Sequence, residues 1–358
     1  MSLLVIASVL VAAWVAIAWR APGSTAPIID ATGRVVPGSI AALEKVRLGG
    51  VEQSLLVRGW SVANPVLLFL HGGPGTSELG LLRVHNLGAL ERRFTVVVWD
   101  QRGAGRSFAA RVPESGMNVE QLVSDAGELS EMLCRRFGQE RIYLAGHSWG
   151  SALGALTVKR HPELFHAFVG IGQVVNMREG ERISWDWTLA QAERAGDARS
   201  VAKLRRIGRP PYNGDLRRSV VAQRAILARY GGEVHGNPLG GLLLTLRCLL
   251  ATREYGWRDR VNFFRGIFES MRLLWPQILE IDLERQAPEL RVPVYFLEGR
   301  YDREVPSELA ERYCEVLRAP RKEVVWFESS AHFVNTEEAD AFNSFFVDRL
   351  LEETRRAA

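Results

Sequence analysis

The chain is punctuated by six short apolar runs: PVLLFL (65–70), FTVVVWD (94–100), RIYLAG (141–146), HAFVGIG (166–172), PVYFLEG (293–299) and EVVWFE (323–328). Continuous rather than alternating apolarity marks strands buried on both faces, and most of these runs open into glycine-bearing loops. Stretches of helical period lie between several of them, such as VEQLVSDAGELSEMLCRRFG (119–138). Strands of this kind alternating with helices predict a parallel sheet covered by helices on both faces. KVRLGGVEQSLLVRGW, from residue 45, adds two short strands around a Gly-Gly turn, giving eight in all.

The rhythm breaks once. Residues 173–288 carry helical patterns, the clusters GRPPYNG and GGEVHGNPLGG, and Trp185, Trp187, Trp257 and Trp275, without a buried strand. This reads as a helical cap inserted into a core formed by 45–172 and 289–358. Residues 21–44 read as a linker, because Pro, Gly, Ser and Thr dominate its first part.

Residues 3–19, LLVIASVLVAAWVAIAW, contain no charge and end at Arg20. The run is at the short end of the ~17–25 residues that span a bilayer. Trp14 and Trp19 suit an interfacial belt, and the lack of a polar face disfavours a buried amphipathic helix of the core. Residues 1–20 are therefore expected to form a single-pass membrane anchor. The alternative is a signal segment, cleaved to leave a secreted or periplasmic protein; it lacks a basic n-region. Arg20 and Arg34 follow the run, which mildly favours a cytoplasmic catalytic domain.

The bulk numbers exclude several classes. Hydrophobic residues make up 47% and charged residues 24%, an ordinary globular balance. The net charge of +4 comes from dispersed arginines, with no basic block, so nucleic acid is not an expected partner. Cys134, Cys248 and Cys314 are far apart and odd in number, which indicates neither a disulfide framework nor a metal cluster. No cofactor is expected.

Four segments carry residues suited to chemistry. GHSWG (146–150) follows a strand and precedes the helical stretch SALGALTVKRHP. In that context G-x-S-x-G forms a sharp turn that lifts a serine hydroxyl above the sheet, and its glycines leave room for the neighbouring strand and helix. HGGPG (71–75) follows PVLLFL, and its adjacent glycines allow the backbone to approach a substrate. The N–H groups of Gly73 and Trp149 are the expected oxyanion donors, with His71 as a packing and hydrogen-bonding residue of the loop. Asp302 in GRYDREVP and His332 in SSAHF both follow strands, where open α/β sheets place their sites. A serine needs a base, and the base needs a carboxylate to fix its tautomer, so Ser148, His332 and Asp302 are the expected nucleophile, base and orienting acid. Glu298 is the rival acid, worse placed inside its strand. WDQRGAGRS (99–107) lacks phosphate-loop spacing and reads as a bracing loop with Asp100 and Arg102 in internal ion pairs.

Together HGGPG (71–75), DQRGAGRS (100–107), GHSWGS (146–151), GRYD (299–302) and the histidine of AHF (332) resemble the proline iminopeptidase family of α/β-hydrolases. The resemblance covers roughly 45–172 and 289–350. It implies a Ser148–Asp302–His332 triad, a helical cap at 173–288, and removal of an N-terminal residue, often proline, from short peptides. Family aminopeptidases bind the substrate amine with cap carboxylates; here Glu179, Glu181, Asp186 and Glu269 are candidates, and nothing in the sequence selects among them. A small-molecule or short-peptide substrate is expected. A carboxylesterase or lipase with the same triad, and a non-catalytic binding module, are the rival readings.

Overall fold

The computed structural model describes residues 21–110, 112–212, 214–237 and 240–356. The apolar run 3–19, on which the anchor expectation rests, lies outside the described residues. Among those described, no helix is long and apolar enough to cross a membrane.

Eight strands form one sheet in the order β1-β2-β4-β3-β5-β6-β7-β8. They are β1 (Ile40–Leu48), β2 (Val51–Gly59), β3 (Val66–Leu70), β4 (Thr95–Asp100), β5 (Ile142–His147), β6 (Phe165–Ile171), β7 (Val294–Gly299) and β8 (Lys322–Phe327). β2 runs antiparallel to β1 and β4, and every other pairing is parallel. The expected mostly parallel eight-stranded sheet is thus present. β1 begins at Ile40, inside the stretch that composition assigns to a linker, and pairs along its whole length with β2. Its start, IAAL, has no β-branched run to announce it, and the pairing is decided by the neighbouring strand. Upstream, an isolated bridge joins Ile29 to Val35.

Alternation along the strands builds two cores. Leu68, Leu70, Val97, Trp99 and Leu144 join one cluster. Leu67, Phe69, Val96, Val98 and Tyr143 join the other, on the opposite face. Helices cover both faces. The major ones are α1 (Leu79–His85), α2 (Val119–Phe137), α3 (Trp149–Arg160), α4 (Met177–Arg194), α5 (Ala198–Ile207), α6 (Leu216–Arg229), α7 (Gly240–Ala251), α8 (Trp257–Ile278) and α9 (Ser307–Val316). α2 starts on the side chain of Asn118, which accepts the Gln121 N–H, and stops at Gly138 in the left-handed region.

Between β6 and β7 the described residues form helices α4 to α8, one short helical turn at Leu283–Gln286 and connecting loops. An isolated bridge between Asn176 and Asp282 joins the two ends of this insertion. Trp185, Ala192, Leu204 and Ile226 give it a small apolar cluster of its own. Residues of this insertion, Glu233 and Phe263 among them, line one cavity with Gly73, Ser148 and His332, which follow β3, β5 and β8.

Candidate active site

Ser148 sits between β5 and α3 with φ 54° and ψ −122°, the one non-glycine positive φ among the described residues. Such a conformation is strained for a residue with a side chain and persists only where its surroundings impose it. Here the surroundings are visible. The Ser148 N–H donates to the Ile171 carbonyl at 2.8 Å, fixing the turn to β6. A Cβ on Gly146 would lie 2.1 Å from the Gly150 carbonyl oxygen, and one on Gly150 would lie 2.2 Å from that of Leu70. Both glycines are required by backbone contact, so the turn tightens until the serine stands up from the sheet.

His332 and Asp302 arrive on the loops after β8 and β7. His332 Nδ1 donates to Asp302 Oδ2 at 2.7 Å, and both side chains are buried. The other oxygen, Oδ1, accepts the N–H groups of Glu304 and Val305, each at 2.9 Å. Gly172 leaves space for the ring: its φ is +52°, and a Cβ there would lie 3.0 Å from His332 Nδ1. Burial disfavours the imidazolium, but the Asp302 carboxylate, and then Glu304 and Glu233, outweigh it and raise His332 above its ordinary value. No hydrogen bond joins Ser148 Oγ to His332; the two residues line the same cavity of about 160 Å³. Glu298, the rival acid, is fully buried in β7, accepts the Gln173 N–H at 2.8 Å and makes no bond to His332. Burial raises its pKa well above the carboxylate range.

Gly73 lines this cavity beside Ser148, with φ +114°, a conformation suited to glycine. Trp149 is the first residue of α3, where a helix leaves its N–H groups without intrahelical partners. Gly73 and Trp149, the expected oxyanion donors, line one cavity together with Ser148. Behind them a buried network locks the loop. His71 Nδ1 donates to the Gly72 carbonyl at 2.9 Å, and its Nε2 accepts the Gln101 N–H at 3.2 Å. Gln101 spans the gap, donating to the His71 carbonyl and accepting from Trp149 Nε1 at 3.1 Å. Burial lowers the His71 pKa, in keeping with a neutral ring.

One expectation is corrected in the 99–107 loop. Arg102 does form an internal ion pair, with Asp125 at 2.7 Å. Asp100 does not. It accepts from the hydroxyls of Ser77 and Tyr255 and from the Arg106 N–H, and burial raises its pKa. The Arg102 side chain leaves the loop towards α2, so Asp100 is satisfied by uncharged donors.

The cap acids also differ from expectation. Glu179 is held by Arg312, Asp186 by Arg209 and Glu269 by Arg272. Glu181 is neutralised by Arg224 and accepts from Tyr212 at 3.0 Å. Of the expected acids only Glu181, with its partner Arg224, reaches a cavity that Ser148 lines, and Glu304 lines it too; the other cavity at Ser148 is lined by Glu78, Glu233 and Glu304. Among the described residues, no lysine or arginine lines the cavity of Glu78, Glu233 and Glu304. Glu78 Oε1 is taken by His147 Nδ1 at 2.6 Å and by the Gly72 N–H, while its Oε2 is buried without a partner. Burial, and then the neighbouring Glu304, push Glu233 up to about 7. Glu304 also stands 3.4 Å from Arg224. Its position two residues after Asp302 was the one sequence signal available. Glu233 lies in an irregular loop, GGEVHG, whose place over the sheet no local pattern announces.

The comparisons agree with this frame. The α/β-hydrolase fold family model matches residues 65–220. The chain is 35% identical over 306 residues to a probable aminopeptidase, YbaC, of Bacillus subtilis, an alignment covering 85% of this chain and 94% of that one. It belongs to the α/β-hydrolase family. This α/β-hydrolase is also 26% identical over 293 residues to a proline iminopeptidase of Heyndrickxia coagulans, covering 80% of this chain and 90% of the relative. The crystal structure of the proline iminopeptidase of Mycobacterium smegmatis superposes with a TM-score of 0.61 at 19% identity, covering 88% of this α/β-hydrolase and all of that chain.

Proposed function

We propose that the protein is a serine aminopeptidase that releases an N-terminal residue from short peptides through an acyl-enzyme. Ser148 attacks the carbonyl of the terminal residue. His332 takes the hydroxyl proton and returns it to the departing amine, and Asp302 keeps its Nδ1 protonated so that Nε2 is the accepting atom. The N–H groups of Gly73 and Trp149 hold the oxyanion, each such donor being worth about 3–4 kcal/mol. Water, activated by the same histidine, then releases the acyl group.

The observation that carries the aminopeptidase reading is the trio of carboxylates, Glu78, Glu233 and Glu304, around one of the two cavities that Ser148 lines; among the described residues no lysine or arginine lines that one, while Arg224 lines the other beside Glu181 and Glu304. Glu233 and Glu304 face the space beside Ser148. A terminal ammonium there would meet opposite charge in a low-dielectric setting, where such contacts are strong. The relatives named as aminopeptidases support the same class.

A substrate panel tests it. Aminoacyl-naphthylamides with a free amine should turn over, N-acetylated counterparts should not, and Glu233→Gln with Glu304→Gln should raise KM for the free-amine series at least tenfold. Turnover restricted to p-nitrophenyl esters, with no effect of these variants, would replace the reading with a carboxylesterase.

A further inference from the structure

The cap carries an apolar surface that the proposed catalysis does not use. On α7, Leu242, Leu243 and Leu250 are exposed, Leu250 by 60%. On α8 the exposed residues are Trp257, Val261, Phe264 and Phe268, with Trp257 at 50%. Their spacing of four, three and four is one stripe of a helix. Its opposite side, with Asn262, Phe263 and Gly266, is buried. Leu242 and Phe264 both line the open cleft, of about 560 Å³, whose lining includes Glu233 and Glu304. Contiguous exposed apolar surface of this kind marks a contact site rather than ordinary surface composition.

Two independent features say what covers it. The first is charge. Arg247, Arg253, Arg258 and Arg265 are exposed on or between these two helices. The acids of the same stretch are already engaged: Glu254 is buried against Arg83, and Asp259 pairs with Arg106 at 2.9 Å. Glu269, just beyond the stripe, pairs with Arg272. The second is the course of the chain. The Ser24 N–H donates to the Arg253 carbonyl at 3.0 Å, and Thr25 Oγ1 to Glu254 at 3.0 Å. A Cβ on Gly256 would lie 2.5 Å from the Ala21 carbonyl oxygen. The segment that follows the uncharged run 3–19 is thus pinned to the α7–α8 connection, between Leu250 and Trp257.

We propose that the exposed faces of α7 and α8 lie on an anionic lipid surface. The leucines and aromatics enter the boundary between headgroups and acyl chains, and the arginines meet the phosphates. Trp257, with the Arg260 guanidinium 4.9 Å from its ring, sits at headgroup depth. The cleft that Leu242 and Phe264 line faces the lipid. Lipid with anionic headgroups is the occupant that satisfies both the apolar residues and the arginines beside them.

Brominated-lipid quenching of tryptophan fluorescence in the full chain tests this. The Trp257 contribution is isolated as the difference between wild type and Trp257→Phe, which removes Trp14, Trp19 and the other indoles from the reading. In phosphatidylcholine vesicles with 30% phosphatidylglycerol, the difference signal should lose at least half its intensity when the acyl chains are brominated. The loss should be smaller in phosphatidylcholine alone. Leu243→Glu with Leu250→Glu should abolish it while leaving turnover of a soluble substrate within twofold. An equal difference signal in brominated and ordinary vesicles overturns the proposal. So does one already blue-shifted without vesicles, since the face is then covered by protein, either residues 3–19 or a second copy.

Discussion

Asp302 holds His332 with one carboxylate oxygen only: Oδ2 accepts from Nδ1 at 2.7 Å, while Oδ1 is committed to the N–H groups of Glu304 and Val305. The division of labour fixes what an amide would do in its place. In Asp302→Asn the carbonyl oxygen must stay on the two backbone donors, so the amide NH₂ faces the ring. Nδ1 then becomes an acceptor and the ring proton moves to Nε2, the atom that must receive the serine proton. The expected result is a fall in kcat of about 10⁴-fold with the fold intact, the size known for a wrong-tautomer histidine. Steady-state kinetics beside circular dichroism check it.

The pH profile follows from the same site. His332 must be neutral to act as a base. Burial favours the neutral ring, but Asp302, Glu304 and Glu233 together raise its pKa. The acidic limb of kcat/KM is therefore expected above the ~6.5 of an ordinary histidine, with activity gained as pH rises through it. Glu233→Gln removes one of the carboxylates responsible, so the limb should move to lower pH. A limb at the ordinary value that ignores Glu233→Gln would contradict this electrostatic account.

The elbow makes a stability prediction with an internal control. Gly150→Ala places a Cβ 2.2 Å from a backbone oxygen of β3, where neither partner is free to move. It should destabilise the fold by about 3 kcal/mol or more. Gly88 is exposed, lies in a short helix and has nothing within 4 Å of its added Cβ. Gly88→Ala should be neutral or stabilise by about 0.4–1 kcal/mol. Urea denaturation of the two variants separates these outcomes.

Arg102 offers a test of the bracing loop. Its partner Asp125 is fully buried and also accepts from Gln53 and Gln121. Arg102→Leu leaves that carboxylate without its cation, at an expected cost of about 3–5 kcal/mol. Chemical denaturation measures the loss, and a change under 1 kcal/mol would mean that the two glutamines suffice.

The sheet was legible because six of its strands are runs of apolar residues whose observed limits fall within a residue or so of those in the sequence; five are buried as expected, while β8, at the sheet edge, is only half-buried. The meeting of Asp302 with His332, and of His332 with Ser148 at one cavity, could be anticipated because each residue stands just past a strand, so the order of strands places them. The edge strand β1 was not legible, since its start carries no β-branched pattern. The cap acids were not legible either. Whether Glu179, Asp186 or Glu269 reaches a cavity depends on an arginine supplied from elsewhere in the chain, and each is paired with one on the surface. Glu233 faces the cavity because a loop without regular structure is folded over it, a property of tertiary packing alone.

The central claim is that the hydroxyl of residue 148 is the reacting nucleophile. Treatment of the full chain with a fluorophosphonate, followed by digestion and mass mapping, reads it directly. The account predicts one stoichiometric adduct on the Ser148 side chain, absent in Ser148→Ala and slowed at least 10³-fold in His332→Ala. An unlabelled wild type, or an adduct that persists in Ser148→Ala, would contradict it.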